Sequence, residues 1–372
     1  MSNNILSDLA ILSLENFADK AKKIDDYIDE LRDEKNSFIV SVSQVRFSNG
    51  EAKLKINDSV RNKDLFILCD ISNHSCSYNM FGNVNHMSPD DHFQDLKRAV
   101  CAVAGKARRI TVIMPLLYAS RQHKRSGRES LDCALALQEL QNLGVHNIIT
   151  FDAHDPNIQN AIPQGSFDSI YPTYPILKKF VKNEIKMINK DKMLVISPDT
   201  GAMGRAIYYA NMLGLDVGMF YKRRDYSVII NGKNPIVEHV YTGRNVKDMS
   251  AVIVDDMIAS GESVLDVARE LKERGAKEVN VIASFALFNE GLERFDEAYK
   301  NGIIKKVYST NLSYLNPELK QKPWFLEVDL TRFIALVINT LNNNESISPL
   351  LNSQDKIKEL IKTTLAGDDK KE

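Results

Sequence analysis

In the stretch AVIVDDMIASGES, residues 251–263, an apolar and β-branched run ends on two adjacent carboxylates, Asp255 and Asp256. Side-by-side acids repel each other and resist burial, so a purely structural role accounts for them poorly. As acceptor-only groups they suit the vicinal hydroxyls of a sugar, or a magnesium ion bound to one. The small residues that follow, Ser260, Gly261 and Ser263, can surround a phosphate with backbone amides and hydroxyls where a helix begins. Reading Asp255 as a turn residue and Ser260 or Ser263 as an N-cap would explain the serines but not the acid pair.

Three more clusters follow apolar runs in the same way: ISPDTGAMGR (196–205), FDAHDP (151–156) and MPLLYASRQHKRSGRES (114–130). In parallel α/β sheets, ligands gather at the carboxyl ends of strands, where the next loop and helix start point their amides outward. Arg121, Gln122, His123 and Lys124 offer cationic and amide donors, although Lys124 and Arg125 read equally well as solvated surface charge. His154 lies two residues beyond Asp152, and a loop histidine is more often a surface or capping residue than a ligand. Lys222, Arg223 and Arg224 form a basic triplet in YKRRD. The chain has neither GxxxxGK[ST] nor GxGxxG, so a nucleotide would have to be held by other means than the common phosphate loops.

The elements that must position these groups alternate between strand-like and helix-like segments, which predicts an α/β fold with largely parallel sheets flanked by helices. LAILSL (9–14) leads into NFADKAKKIDDYIDELRDEK, whose Phe17, Ala21, Ile24, Ile28 and Leu31 fall at helical spacing, and IVSVSQV then alternates as a strand. DLFILC (64–69) and RITVIMP (109–115) read as strands separated by a polar loop and the helix FQDLKRAVCAVAGKA. SLDCALALQELQNL predicts a helix closing at Gly144 before the strand HNIITFD. A second half repeats the plan in KMLVISPDTGAMGRAIYYANMLGLDVGMFY, closed at Gly214, and again after residue 251 with a helix closed at Gly275. Two α/β lobes are expected, 1–175 and 176–345, followed by a charged helix and tail over 346–372.

The 372 residues carry 48 basic and 49 acidic side chains, a net charge of −1, so no global basic field recruits nucleic acid or an anionic membrane. Cys69, Cys76, Cys101 and Cys133 show no CxxC spacing and are expected as reduced, partly buried thiols rather than zinc ligands. The N-terminal segment lacks a basic n-region, and no run of about 18 apolar residues occurs, so a cytoplasmic protein is expected.

VIVDDMIASGES resembles the phosphoribosyl-pyrophosphate loop of phosphoribosyltransferases. Together with RFSNGEAKLKINDSVRNKDLFIL (46–68), MPLLYASRQHKR, ITFDAHDPNIQ, ISPDTGAMGRA and YKRRD, it resembles in order and spacing the ribose-phosphate pyrophosphokinases, over roughly residues 9–342. The resemblance implies two phosphoribosyltransferase-like lobes, with Mg2+ as cofactor and ATP and ribose 5-phosphate as substrates. The diphosphoryl group passes in line from ATP to the anomeric hydroxyl, and AMP leaves. It further implies that Phe47, Asn49 and Glu51 reach the adenine, that Arg121 and Gln122 contact ATP, and that His154 and Asp199 lie near magnesium and the ATP phosphates. Asp255 and Asp256 would hold the ribose hydroxyls, with Asp199 on the same substrate's side, and Ser260, Gly261 and Ser263 the 5-phosphate. Lys222 and Arg224 would clamp the transferring phosphoryl oxygens from a mobile loop that closes over the reaction. A homo-oligomer, dimer or hexamer, is implied as well.

Some positions depart from the family pattern. Asn49 stands where an acid is usual, Ala259 replaces a third acid, Glu262 replaces a small residue, and the polar segment 78–93 is longer than its counterpart. A carboxylate about 4 Å from a phosphate costs roughly 1 kcal/mol per charge pair in water-like surroundings. Glu262 is therefore expected to point away, bind a cation or weaken substrate binding. The alternative reading is a non-catalytic regulatory paralogue; retention of Lys222, Arg224, His154, Asp199, Asp255 and Asp256 favours the enzyme.

Overall fold

The computed structural model describes residues 8–224 and 236–368. They divide into two compact units: the chain to Tyr171 with Asn311–Tyr314 and Asp329–Leu351, and Pro172–Thr310 with Leu315–Val328 and the chain from Asn352.

The first unit runs β1 (Leu9–Ser13), α1 (Ala18–Arg32), β2 (Val42–Arg46), β3 (Ala52–Ile56), β4 (Asp64–Leu68), β5 (Ser77–Met80), β6 (Asn83–His86), α2 (Pro89–Val103), β7 (Arg109–Ile113), α3 (Asp132–Asn142), β8 (Asn147–Phe151) and β9 (Ser166–Ile170). Its five-stranded sheet has the order β1-β4-β7-β8-β9 and is parallel throughout. The central strands are buried along almost their whole length, as helix-covered parallel strands must be.

Two pieces differ from the linear reading. The segment IVSVSQV meets that sheet only at its start, where Ile39 bridges Ile11 of β1 in parallel; from Val42 to Arg46 the chain instead pairs antiparallel with β3 as a hairpin. The polar loop after β4 contains a second hairpin, β5–β6, and the helix after it starts at Pro89, four residues earlier than its apolar periodicity suggests. The reason is a capping box: Ser88 Oγ accepts the Asp91 N–H at 3.2 Å and Asp91 Oδ2 accepts the Ser88 N–H at 3.0 Å, with proline at the first helical position.

The second unit runs α4 (Thr173–Glu184), β10 (Met193–Ser197), α5 (Met203–Leu213), β11 (Asp216–Arg224), β12 (Ile236–Thr242), β13 (Ser250–Ile258), α6 (Glu262–Glu273), β14 (Glu278–Ala286), α7 (Glu293–Lys300), β15 (Lys306–Thr310) and β16 (Phe325–Val328). Its seven strands lie in the order β12-β11-β10-β13-β14-β15-β16, parallel except for β12. The helix α5 closes on Gly214 in the left-handed conformation, as expected. From β10 the chain moves outward to β11 and β12, then returns to lay β13 on the other side of β10. That reversal is a topological switch point, which opens a crevice at the carboxyl ends of the two strands.

After β16 the chain supplies α8 (Thr331–Asn342) and α9 (Ser348–Leu351) to the first unit and α10 (Gln354–Asp368) to the second. α8 is tied to the first sheet by a buried polar knot. Arg109 grips the fully buried Asp64 with two hydrogen bonds of 2.7 and 2.5 Å and donates to the Leu341 carbonyl at 2.8 Å, while the Asn342 amide donates to Asp64 Oδ2 at 2.9 Å. The alternation of strands and helices thus yields the α/β architecture with parallel sheets flanked by helices. Among the described residues no helix is long and apolar enough to cross a membrane.

Candidate active site

The acid pair sits at the switch point. Asp255 and Asp256 do not end their strand: β13 runs on to Ile258, with Asp255 paired to Ala283 and Ile258 to Ala286 of β14. On the other side, pairing with β10 stops at Ile253. The carboxylates therefore project where one neighbouring strand has ended and the other still supports them. Alternation along the strand splits the pair: Asp256 is 3% exposed, whereas Asp255 is half-buried and accepts the Asp256 N–H at 2.8 Å. Burial first, and the charge of Asp256 second, raise the Asp255 carboxyl well above the ordinary carboxylate range; Arg205 on α5 opposes this. A desolvated carboxylate gains from any partner that donates hydrogen bonds, as sugar hydroxyls do.

The loop from Ala259 to Gly261 joins β13 to α6. Neither serine caps the helix. The N-cap is Gly261, at φ +78°, which has no side chain to offer the first-turn amides, and Ser260 Oγ receives the Glu262 N–H only at 3.4 Å. A side chain at 261 is excluded twice over, by the left-handed backbone and by Phe295, whose Cε2 would lie 2.3 Å from an added Cβ. The result is a twelve-residue helix whose dipole and amides begin beside small residues, a favourable seat for phosphate. Glu262 and Ser263 are exposed.

Asp199 occupies the neighbouring turn, between β10 and α5. Its Oδ1 accepts the Ala202 N–H at 2.9 Å and its carbonyl accepts the Ser197 hydroxyl at 2.7 Å, which fixes the turn while leaving the residue exposed. Arg205, one turn into α5, couples electrostatically to Asp255, so the two loops of the switch point share a charge network.

In the first unit, Phe47, Asn49 and Glu51 fall together in the turn between β2 and β3. The Phe47 N–H donates to the Glu51 carbonyl and the Gly50 N–H to the Phe47 carbonyl, at 2.8 and 2.9 Å. Asn49 and Glu51 lock each other: the Asn49 amide donates to Glu51 Oε2 at 3.0 Å and Asn49 Oδ1 accepts the Glu51 N–H at 3.1 Å. The Phe47 ring is 48% exposed, an apolar face with no core to join.

Arg121 is exposed, and Gln122 holds its loop by donating to the Ser130 carbonyl at 3.1 Å. The next residue, His123, links this loop to the one after β8. Its ring lies 5.4 Å from that of His154, and its Nε2 is 3.3 Å from Asp155 Oδ2. Arg121, Gln122 and His154 are thereby brought into one neighbourhood. Asp152 is instead buried, at φ +42°.

Lys222 and Arg224 end β11, where β12 pairs antiparallel beside them, rather than standing in a loop. The segment 225–235, read as the body of a closing loop, lies outside the described residues.

The chain is similar in sequence to known proteins. Residues 9–144 match the N-terminal domain of ribose phosphate pyrophosphokinase and residues 166–317 the phosphoribosyl transferase domain. The chain is 31% identical over 327 residues to the ribose-phosphate pyrophosphokinase of Mycoplasmopsis pulmonis, covering 86% of this chain and 92% of that one. It is 30% identical over 312 residues to the Mycoplasma pneumoniae enzyme of the same name, covering 83% and 87%. The chain belongs to the ribose-phosphate pyrophosphokinase family. In fold it is similar to the phosphoribosylpyrophosphate synthetase of Mycobacterium smegmatis, with a TM-score of 0.73 at 22% identity over 90% of this chain and 99% of that one.

Among the described residues no three His, Cys, Asp or Glu side chains gather to cage a metal. Magnesium does not require a cage, because it is commonly held by one or two carboxylates together with water and substrate phosphates. The exposed Asp199 supplies such a carboxylate, and as an oxygen donor it fits a hard ion better than the His154 imidazole does. Two residues escaped the sequence reading. Arg205 stood in the quoted ISPDTGAMGR without a role, and its helical position three residues from Ala202 was the available signal. His123 lay inside the donor run, but nothing local reveals that a residue 32 positions on, Asp155, would meet it.

Proposed function

We propose that this chain is a ribose-phosphate diphosphokinase that makes 5-phosphoribosyl 1-pyrophosphate and AMP from ATP and ribose 5-phosphate. The observation that carries this reading is the switch point of the second unit, where a desolvated acid pair stands beside a glycine-started helix. Asp255 and Asp256 accept hydrogen bonds from the ribose hydroxyls, and the α6 start holds the 5-phosphate through Ser260, Gly261 and Ser263. Seating both ends of the sugar orients its anomeric hydroxyl, which supplies much of the rate gain open to an enzyme without a covalent intermediate.

Arg121, Gln122 and His154 bind the ATP phosphates, and the turn of Phe47, Asn49 and Glu51 receives the adenine. The anomeric oxygen bonds to the β-phosphorus as the bond to the α,β-bridging oxygen breaks; the hydroxyl proton is lost and AMP departs. Lys222 and Arg224 offset the charge that grows on the phosphoryl oxygens. Asp199 and His154 are the residues that would hold magnesium, which when bound would neutralise part of the ATP charge. Ala259 leaves the sugar with one acid fewer than the family pattern, and Glu262, exposed at the start of α6, points away from the phosphate in this reading. A cytoplasmic setting and assembly into a homo-oligomer, dimer or hexamer, belong to the same reading.

Phosphorus NMR of the protein with magnesium, ATP and ribose 5-phosphate tests it. AMP and the diphosphorylated sugar should appear in equal amounts, and Lys222→Ala should slow both by at least about a hundredfold, the scale of one lost charge-stabilising donor. Absence of both products in the wild type across several divalent cations and added phosphate would overturn the reading in favour of a regulatory binder.

A further inference from the structure

At the tip of the β5–β6 hairpin, Phe81 and Gly82 form a two-residue turn with φ of +47° and +80°. Such turns are usually made from Asn-Gly or Asp-Gly, because a bulky side chain in the left-handed region is strained. Here the strained position carries an aromatic ring that is 76% exposed and recovers nothing by burial. Strain of this kind, without a packing return, points to a use for the ring.

The hairpin is fastened to the turn that bears Phe47, Asn49 and Glu51. The Phe81 N–H donates to the Ser48 carbonyl at 2.9 Å. Met80 packs so closely beneath Gly50 that an added Cβ there would lie 2.8 Å from its sulfur, and Gly50 itself sits at φ +90°. At the base of the two hairpins Arg46 lies over the Tyr78 ring, 4.9 Å from its centroid, and its guanidinium reaches Asp95 at 2.6 Å and Asp91 at 3.9 Å. The cavity at their base, lined by Gln44, Arg46, Leu54, Tyr78 and Asp95, holds only about 30 Å3, too small for a ligand. The second hairpin thus braces the first from its base to its tip, and the backbone bond ties the exposed Phe81 to Ser48, the neighbour in sequence of the exposed Phe47.

We propose that the β5–β6 hairpin is part of the nucleotide site: it holds the Phe47–Glu51 turn in place, and Phe81 adds a second apolar surface against the purine. Aromatic rings contribute large contact area against a base at small entropic cost, which favours stacking over other uses of an exposed phenyl group. The proposal rests on the assignment of the Phe47–Glu51 turn to adenine.

The test compares Phe81→Asn, Phe81→Tyr and Phe47→Ala in the full-length enzyme, through KM for each substrate, kcat and solution mass. Asn keeps the left-handed turn while removing the ring. Phe81→Asn should raise KM for ATP three- to tenfold with kcat within twofold and KM for ribose 5-phosphate unchanged, and Phe81→Tyr should restore the wild-type value. If Phe47→Ala raises KM for ATP and Phe81→Asn does not, the hairpin has no part in the site and the proposal falls alone. If neither variant changes KM for ATP, the adenine assignment fails and takes the proposal with it. A changed solution mass in Phe81→Asn, without the KM split, would make this surface a subunit contact and also overturn it.

Discussion

Asp255 sits in an environment that opposes its own charged form. Its carboxyl is raised by burial and by Asp256, so between the ordinary aspartate range near pH 4 and that raised value the folded chain keeps a proton that the unfolded chain releases. Stability therefore falls as pH climbs through this window, and the cost is fully present above it. Asp255→Asn should raise Tm at pH 8 by roughly 2–4 °C, the shift expected for about 1 kcal/mol, and the gain should disappear below about pH 4. Above the raised value, where Asp255 is charged, the same variant should raise KM for ribose 5-phosphate about tenfold or more, since a hydrogen bond to a charged acceptor contributes about 1.5–3 kcal/mol. Thermal melts at both pH values check the first half, and an unchanged or lower Tm at pH 8 would show that the acid pair is not strained. The pair was legible in the sequence because two adjacent acids on an apolar run have no bland explanation. Arg205, which tempers them, was not, because a lone arginine on a helix looks like surface charge until the strand beside it is known.

At the scale of elements, the junction between β13 and α6 depends on one glycine. Gly261 combines a left-handed backbone with a position directly over Phe295. Gly261→Ala combines about 1–2 kcal/mol of backbone strain with a further 1–3 kcal/mol for overpacking, and it shifts the loop proposed to receive the phosphate. The expected result is a urea midpoint lowered by the equivalent of about 2–5 kcal/mol, KM for ribose 5-phosphate raised severalfold, and KM for ATP within twofold. Pairing it with Phe295→Leu separates the causes. Part of the stability should return if the ring is the obstacle, and none if the backbone alone is at fault. Elements with a clear period or stop, such as the buried strands and the helix closed by Gly214, were visible in the sequence because parallel strands read as apolar runs and left-handed ends select glycine. The β5–β6 hairpin was hidden, since SYNMFGNVNH has no alternation and its turn carries Phe-Gly instead of Asn-Gly. The helix start at Pro89 was written in Ser88 and Asp91, but apolar spacing drew the boundary further on.

At the scale of the molecule, the chain leaves the first unit after Tyr171 and supplies it again with Asn311–Tyr314 and with α8. No local pattern announces that return: TRFIALVINTLN is amphipathic and would suit either unit. What commits α8 is polar chemistry at its C-terminal end. The Leu341 carbonyl and the Asn342 amide complete the hydrogen bonding of Arg109 and Asp64, and Arg32 donates to Asn339 and Asn342 at 2.7 and 2.8 Å. Asp64 is fully buried, so its charge is tolerable only while Arg109 grips it. Arg109→Ala should therefore cost about 3–5 kcal/mol, seen as a lower urea midpoint by far-UV circular dichroism, whereas Asn342→Ala should cost nearer 1 kcal/mol because the guanidinium remains. The single tryptophan, Trp324, is buried in the second unit, so its fluorescence follows that unit separately. Hydrogen exchange adds the location: in Arg109→Ala, protection should fall in β1, β4, β7 and α8 together, across nearly 330 positions of sequence, because a shared buried carboxylate joins them. Loss of protection in α8 alone would mean that the helix is a detachable cover and that the first sheet holds Asp64 without it.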